Sequence, residues 1–369
     1  MWKIHLMINK NMLIKKSLVF NLETEGCLLK KIAFEPHLES INKAYEDYFK
    51  NNNEFDFKIL KKPRWKDKSQ FKIIKMIIFT IISFKDFAIG KYDLVHVNGT
   101  NFGIFAYLAS FFKCKYIFTM HSTVNRSFND GNKYLLMLSY VLRPIIAKRA
   151  KKVFTISNFT KKEIEEAYNI KVDVIYNGLP ELYIKNRLIS LKKIRQKKIF
   201  ISVGRMVDSK NPLKVIDIFE QAIKFYGDAF LIFIGDGKLL VNVKKYAYRK
   251  NLNNNILFIK KVPFEEMRKW YMKADYFISA CEIEGFGLSA LEATACGCMP
   301  ILPKKGAFLE IFMKDRYLYD VNRIDNIKFF EPTLEDRKFL SEIVEKYTWY
   351  KAINQYELNY KKIIEENIR

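Results

Sequence analysis

The segment Glu284-Gly-Phe-Gly-Leu-Ser-Ala-Leu-Glu292 constrains this chain more than any other. It follows the apolar run Tyr276-Phe-Ile-Ser-Ala280, which reads as a strand, and its glycines mark a loop from which a helix starts at Leu288. Strand, glycine loop and helix form the unit by which an α/β sheet presents free backbone N–H groups to a phosphate. Ionised carboxylates accept hydrogen bonds from sugar hydroxyls. Glu284 falls in the loop, and Glu292 lies about 7 Å beyond Gly287 along the helix axis, at roughly 1.5 Å per residue. One element can therefore reach a phosphate, a ribose and a second sugar.

The rest of the chain repeats this alternation. In the first half, strands are predicted at 3–8, 29–34, 54–60, 92–97, 116–120, 153–157 and 172–176. Helical patterns lie between them at 40–50, 102–112, 134–151 and 159–168, and Asn51-Asn-Asn53 signals a turn. Residues 180–198 break the rhythm with Pro180, several lysines and little periodicity. A second alternation starts at Lys198 and carries strands at 198–203, 229–234, 256–259, 276–280 and 300–302. Its helices are read at 212–226, 239–250, 265–274 and 288–295, and the tail from Thr333 to Ile368 is mostly helical. Two doubly wound parallel sheets, Rossmann-like domains facing each other across a cleft, are the expected fold. The boundaries read as residues 1–180, a linker at 181–197, a second domain at 198–345 and a terminal segment at 346–369.

Ligands of such sheets sit at the C-terminal ends of strands, so the residues there are the candidates. Ser202-Val-Gly204-Arg205 closes the strand at 198–203, and Lys210 follows shortly before Pro212 opens a helix. A guanidinium and an ammonium arriving together can grip a diphosphate, Arg as a fork and Lys as a point charge. With a helix N-terminus beside them, they would stabilise negative charge on a departing phosphate. Gly235-Asp236-Gly237 is either a plain tight turn or a place where backbone approaches a nucleotide closely. His121 closes the strand at 116–120, where a ligand role and a packing role are both open, whereas His96 lies inside an apolar strand and reads as core. No Ser/His/Asp arrangement argues for a hydrolase triad, and no G-x-G-x-x-G follows the first strand.

Length and charge bound the alternatives. At 369 residues the chain exceeds one ordinary core, and 49% hydrophobic content suffices for two. The net charge of +24, from 64 Lys and Arg against 40 Asp and Glu, reflects either an anionic partner or a Lys-rich composition, since the lysines are spread along the chain. A nucleic-acid binder would interleave clustered basic residues with exposed aromatics, but the aromatics here lie mainly in apolar strands and helices. The five cysteines are scattered and odd in number, without zinc-ligand spacing, which fits a reducing cytoplasm. The N-terminus lacks a signal-peptide pattern, and the apolar run at 76–84 is far short of the ~20 residues of a membrane-spanning helix. Residues 71–87 set lysines around that run, as an interfacial helix on acidic lipid or a core helix with solvated lysines would.

With these residues in place, the chain resembles the retaining nucleotide-sugar glycosyltransferases of group 1, which have the two-Rossmann GT-B architecture. The resemblance is strongest from Lys198 to Pro303. It rests on Ser-Val-Gly-Arg205 with Lys210-Asn211, on Ile-Gly-Asp-Gly at 234–237 and on Glu-Gly-Phe-Gly-Leu-x-x-Leu-Glu-Ala at 284–293. Weaker echoes are Asp-Leu-Val-His at 93–96, Thr-Met-His121, Thr-Ile-Ser-Asn-Phe-Thr at 155–160 and Val-Ile-Tyr-Asn-Gly at 174–178. The resemblance implies that Arg205 and Lys210 hold the donor diphosphate and that Glu292 binds the ribose. Glu284 and the backbone around Phe286, Gly287 and Leu288 would contact the transferred sugar, with His121 reaching it from the opposite domain. Gly204, Gly235, Gly237 and Val262 would complete the donor pocket. Trp349 and the helix after it would cross back onto the first domain.

The resemblance further implies transfer with retained configuration and no metal or other cofactor. The expected partners are a nucleotide sugar and a glycan or lipid-linked acceptor, with an anionic membrane surface beside a cytoplasmic protein and no nucleic acid. Three departures stand out: Asn9-Lys-Asn-Met-Leu replaces the family's glycine pair after the first strand, Lys260-Lys261 a usual glycine, and Lys304-Lys-Gly306 a double glycine. An inactive nucleotide-sugar-binding scaffold is the alternative these departures leave. Ligand-facing roles predict that Lys210→Ala and Glu292→Ala weaken donor binding or turnover with little effect on thermal stability.

Overall fold

The computed structural model describes residues 29–34, 39–50, 54–60, 81–124, 133–185 and 197–366. The strand expected at 3–8, the departure at 9–13, the turn at 51–53, the first part of the lysine-flanked segment and most of the expected linker lie outside these residues. Among the described residues, 81–88 are helical.

The first half alternates β1 (Lys30–Phe34), α1 (Glu39–Phe49), β2 (Phe55–Ile59), β3 (Leu94–Val97), α2 (Thr100–Ala109), β4 (Tyr116–Met120), α3 (Lys133–Arg149), β5 (Lys152–Thr155), α4 (Asn158–Tyr168) and β6 (Asp173–Val174). The six strands form one parallel sheet in the order β2-β1-β3-β4-β5-β6. β3 and β4 are buried along their whole length, as strands covered by helices on both faces must be.

The second half contains α5 (Glu181–Lys185), β7 (Lys198–Val203), α6 (Pro212–Tyr226), β8 (Ala229–Ile234), α7 (Leu240–Arg249), β9 (Ile256–Ile259), α8 (Phe264–Lys273), β10 (Tyr276–Ile278), α9 (Leu288–Ala295), β11 (Met299–Pro303), α10 (Phe308–Ile311), β12 (Leu318–Tyr319), α11 (Leu334–Lys346) and α12 (Trp349–Glu365). Its parallel sheet runs β12-β11-β10-β7-β8-β9. The chain moves outward from β7 through β8 to β9, then returns to the other side of β7 with β10. The crevice between the C-terminal ends of β7 and β10 is the switch point where such sheets bind ligands. The GT-B arrangement of two Rossmann-like domains is thus present.

The terminal helix α12 ties the halves together. The face of α12 carrying Trp349, Ile353, Tyr356 and Tyr360 is buried in one cluster with Ile32, Phe34, Ile41 and Phe154 of the first half. His96 anchors this contact: its Nδ1 lies 2.7 Å from the Tyr360 hydroxyl and its Nε2 2.8 Å from Thr119 Oγ1. Burial lowers the imidazole to about 3, so His96 is a neutral core residue, as the sequence pattern implied.

The expected linker at 181–197 needs correcting at its start. Glu181–Lys185 forms α5, and Tyr183 is 1% exposed within the second half's core. Five residues are too few to display a helical period, so only tertiary burial shows this helix. No helix among the described residues is long and apolar enough to cross a membrane.

Candidate functional site

The glycine loop and the cationic loop meet at the switch point. Lys210 Nζ donates to Glu284 Oε2 across 2.6 Å, joining the segment after β7 to the segment after β10. Lys210 ends a short 3₁₀ turn at Asp208–Lys210, and Asn211 in the left-handed region sends the chain into α6 with Pro212 in its first turn. Gly287 opens α9 at φ +87, and a Cβ there would meet the Phe308 ring at 2.5 Å, so only glycine fits. Gly287 has no side chain to cap α9; its amide donates to the Glu284 carboxylate, and Gly287 and Leu288 at the start of α9 border the crevice.

A cavity of about 220 Å³ lies against this loop. The second half contributes Ser209, Lys210, Cys281 and the segment from Ile283 to Leu288, and the first half contributes His121, Ser122, Thr123, Ile156 and Asn177. An adjoining depression shares Lys210 and Glu284 and adds Gly204, the exposed Arg205, Ser279 and Ser289. His121, Lys210, Glu284, Phe286, Gly287 and Leu288 therefore surround one space, with Gly204 and Arg205 next door. The Phe286 side chain is 2% exposed and packs in the core, so its backbone is the part that borders the cavity.

The charges support one another. Burial works against the Lys210 charge, but the Glu284 carboxylate outweighs it and raises the lysine above its usual range. Burial would likewise raise Glu284, but Lys210, the Cys281 thiol and the Gly287 amide hold it below the usual carboxylate range. Both groups are thus ionised at neutral pH. Glu292 differs, since burial lifts it to about 7 against the opposing hydrogen bond that the Tyr271 hydroxyl donates at 3.0 Å.

Four expected donor residues, Gly235, Gly237, Val262 and Glu292, line neither cavity. Gly235 and Gly237 make close backbone approaches, but to their own chain. A Cβ on Gly235 would strike the Gly204 carbonyl, and one on Gly237 the Met206 carbonyl. Met206 N donates to Asp236 O at 2.9 Å and Leu239 N to Met206 O at 3.0 Å, so this turn holds the Gly204–Met206 loop in place. Val262 is half-buried against the second half's core and lines neither cavity. Glu292 lies on α9 beside Tyr271, also outside both linings.

Several residues were given no site role in the sequence. Asn98, after β3, is 7% exposed, and its Oδ1 lies 2.7 Å from His121 Nε2. Asn177, Thr123, Ser209 and Ser289 border the cavities. The strand-end rule that drew attention to His121 applies equally to Asn98 and Asn177.

Comparison with known proteins gives this geometry its context. Residues 186–339 match the family model described as glycosyl transferases group 1, and residues 51–181 match that of glycosyltransferase family 4. These matches support a glycosyltransferase of group 1. The glycosyltransferase is 24% identical over 292 residues to an uncharacterized glycosyltransferase of Methanocaldococcus jannaschii, covering 71% of this chain and 73% of that protein. It is 26% identical over 222 residues to the O-antigen chain mannosyltransferase RfbU of Salmonella typhimurium, covering 59% of each. Among solved structures, the sucrose-phosphate synthase of Thermosynechococcus elongatus shares the fold with a TM-score of 0.67 at 16% identity, over 91% of this chain and 100% of that one. Anabaena HepE in complex with UDP-glucose superposes with a TM-score of 0.64 at 16% identity, over 90% and 99%.

Proposed function

We propose that the glycosyltransferase moves a hexosyl group from a nucleoside diphosphate donor onto a glycan or lipid-linked acceptor of a surface polysaccharide, with retention of configuration. The observation that carries this reading is the Lys210–Glu284 pair at the open N-terminus of α9, facing His121 and Thr123 across one cleft. Lys210 and Arg205 grip the diphosphate, and the first N–H groups of α9 add positive potential. Glu284, which already accepts from Lys210, the Cys281 thiol and the Gly287 amide, uses remaining acceptor capacity for hydroxyls of the transferred sugar, and His121 meets the same sugar from the other side. The bond from the anomeric carbon to the diphosphate oxygen breaks as the acceptor oxygen bonds on the same face. The acceptor proton passes to the departing phosphate. Cations and helix N–H groups stabilise the charge formed there, and this reading calls for no metal or cofactor.

In this reading Glu292 turns towards the ribose once its carboxylate ionises, and Gly204, Gly235, Gly237 and Val262 shape the loops of the donor domain. Residues 198–345 form that domain, and residues 1–180 the acceptor side, onto which the segment 346–369 crosses back. RfbU, a mannosyltransferase of O-antigen chains, supports the polysaccharide assignment. A thermal-shift panel of nucleotide sugars, followed by release of nucleoside diphosphate with acceptor extracts, tests it. Stabilisation by at least one donor is expected. No shift with any donor and no release would overturn the reading.

The first half also supports a peripheral position on the cytoplasmic face of a membrane. Ile81, Ile82, Ile89, Leu108, Phe111 and Phe112 are all exposed, and the Arg149 guanidinium sits 4.0 Å from the Phe111 ring centre. Apolar side chains among basic ones suit an acidic lipid surface. Flotation with acidic liposomes should exceed that with neutral ones, and equal binding would remove the electrostatic argument.

A further inference from the structure

Glu310 belongs to the second half, yet its side-chain hydrogen bonds go to the first. Its Oε1 accepts from the Phe159 amide at 3.0 Å. Its Oε2 accepts from the Asn158 amide at 3.0 Å, from Asn158 Nδ2 at 3.0 Å and from the Tyr176 hydroxyl at 3.1 Å. Asn158 and Phe159 open α4, where N–H groups have no partner within the helix and carry its positive end. Ser157, the residue before them, already spends its side chain on the Thr160 amide. The carboxylate that completes the cap therefore comes from about 150 residues further along the chain, from the other domain.

The same two segments hold the site. Glu310 lies in α10, three residues after Ala307, whose amide donates to the Glu284 carbonyl at 3.0 Å. On the other side, the first turn of α4 meets the glycine loop. A Cβ on Gly285 would lie 3.4 Å from Thr160 Cγ2 and 3.7 Å from Thr123 Cγ2. Shifting α10 relative to α4 therefore moves Glu284 relative to Thr123 and His121.

We propose that Glu310 is a positioning residue, a strap between the domains that sets the spacing of the cleft in which transfer occurs. The proposal rests on the transferase reading for its catalytic consequence and on geometry alone for the strap. Transfer requires the acceptor oxygen and the anomeric carbon in near-contact, and an error of about 1 Å can lower a rate about a hundredfold. Glu310 lines neither cavity, so its loss should lower turnover without removing a donor contact.

The test compares Glu310→Ala and Glu310→Gln with the wild-type full chain. Amide exchange in the peptide covering 157–161 reads the strap directly, and small-angle scattering reads the opening of the cleft. In Glu310→Ala, exchange there should rise about tenfold and the radius of gyration should increase. Glu310→Gln, which keeps the shape but lacks the charge, should fall between. Transfer kcat should drop about tenfold in Glu310→Ala while donor KM stays within about twofold. Unchanged exchange and scattering would overturn the strap. A donor KM that rises in step with the loss of kcat would place Glu310 in donor binding instead. If the wild type transfers no sugar, the function reading fails, and the exchange and scattering results still decide the strap.

Discussion

Replacing Lys210 with methionine isolates the charge at the centre of the site, because methionine keeps most of the apolar stem. The wild-type pair has side chains 30% and 18% exposed and a separation of 2.6 Å. Removing one partner of a fully buried pair costs about 3–5 kcal/mol, since the other charge is left unpaired. Removing one partner of an exposed pair costs about 0–1 kcal/mol. These exposures fall between the limits, so about 2 kcal/mol is expected at pH 7.5. At roughly 2–4 °C per kcal/mol for a domain of this size, the melting temperature should fall by about 4–8 °C. The sequence-based expectation of little stability change on removing Lys210 treats the side chain as free, and its bond to Glu284 corrects that.

Two further arms make the reasoning specific. Lys210→Met combined with Glu284→Gln should cost less than the sum of the single changes by at least about 1 kcal/mol, because neither charge is then stranded. Glu284 is held below its usual range in the folded wild type, so the pair's contribution is present above about pH 4.5 and lost as pH falls through the folded value. The gap between wild type and Lys210→Met should therefore close on acidification. Calorimetry from pH 2 to 8 supplies all three readings. A Lys210→Met protein within 1 °C of wild type at pH 7.5, an additive double change, or a gap independent of pH would refute the argument.

Burial raises Glu292 to about 7, so its contribution to stability is full below about pH 4.5 and is lost as pH rises through 7. The melting temperature of wild type relative to Glu292→Gln should accordingly fall between pH 5 and 7.5, and a constant difference would show that Glu292 is not so buried. His96 acts in the opposite sense: held near 3 by burial, it cannot take the proton that the unfolded chain gains below about 6.5. Wild type should lose stability relative to His96→Gln as pH falls from 7 to 5, measured by the same scans. Gly178→Ala would drive a Cβ into the backbone nitrogen of Trp349 and should detach α12 from its crossing, read as faster amide exchange along 349–365.

The local elements were legible because their signals are local. β7, α6, β8, β9 and α9 have the bounds read from the sequence, since each is an apolar or amphipathic run flanked on at least one side by glycine, proline or asparagine. Of the loops on which the family resemblance rested, those carrying Gly204–Lys210, Glu284–Leu288, His121 and Asn177 border the two adjoining cavities, while Gly235–Gly237 packs against the Gly204–Met206 loop. What depended on distant partners was illegible. Nothing near Gly235 shows that the Gly204 carbonyl occupies its Cβ space. Five residues of α5 carry no period that distinguishes them from a linker, although Tyr183 is buried.

Alternation of apolar strands and amphipathic helices determined, by itself, that this chain would build two parallel sheets with ligand loops at their ends. Each strand or helix buries its own stripe, and that stripe is written in consecutive residues. Which loops meet was decided only by tertiary structure. Lys210 and Glu284 stand 74 residues apart in sequence and bond because β10 crosses back to pair with β7. Glu310 reaches Phe159 over 151 residues because two domains close on each other. A side chain's partner across such a span depends on the packing of every element between, and no short segment encodes it.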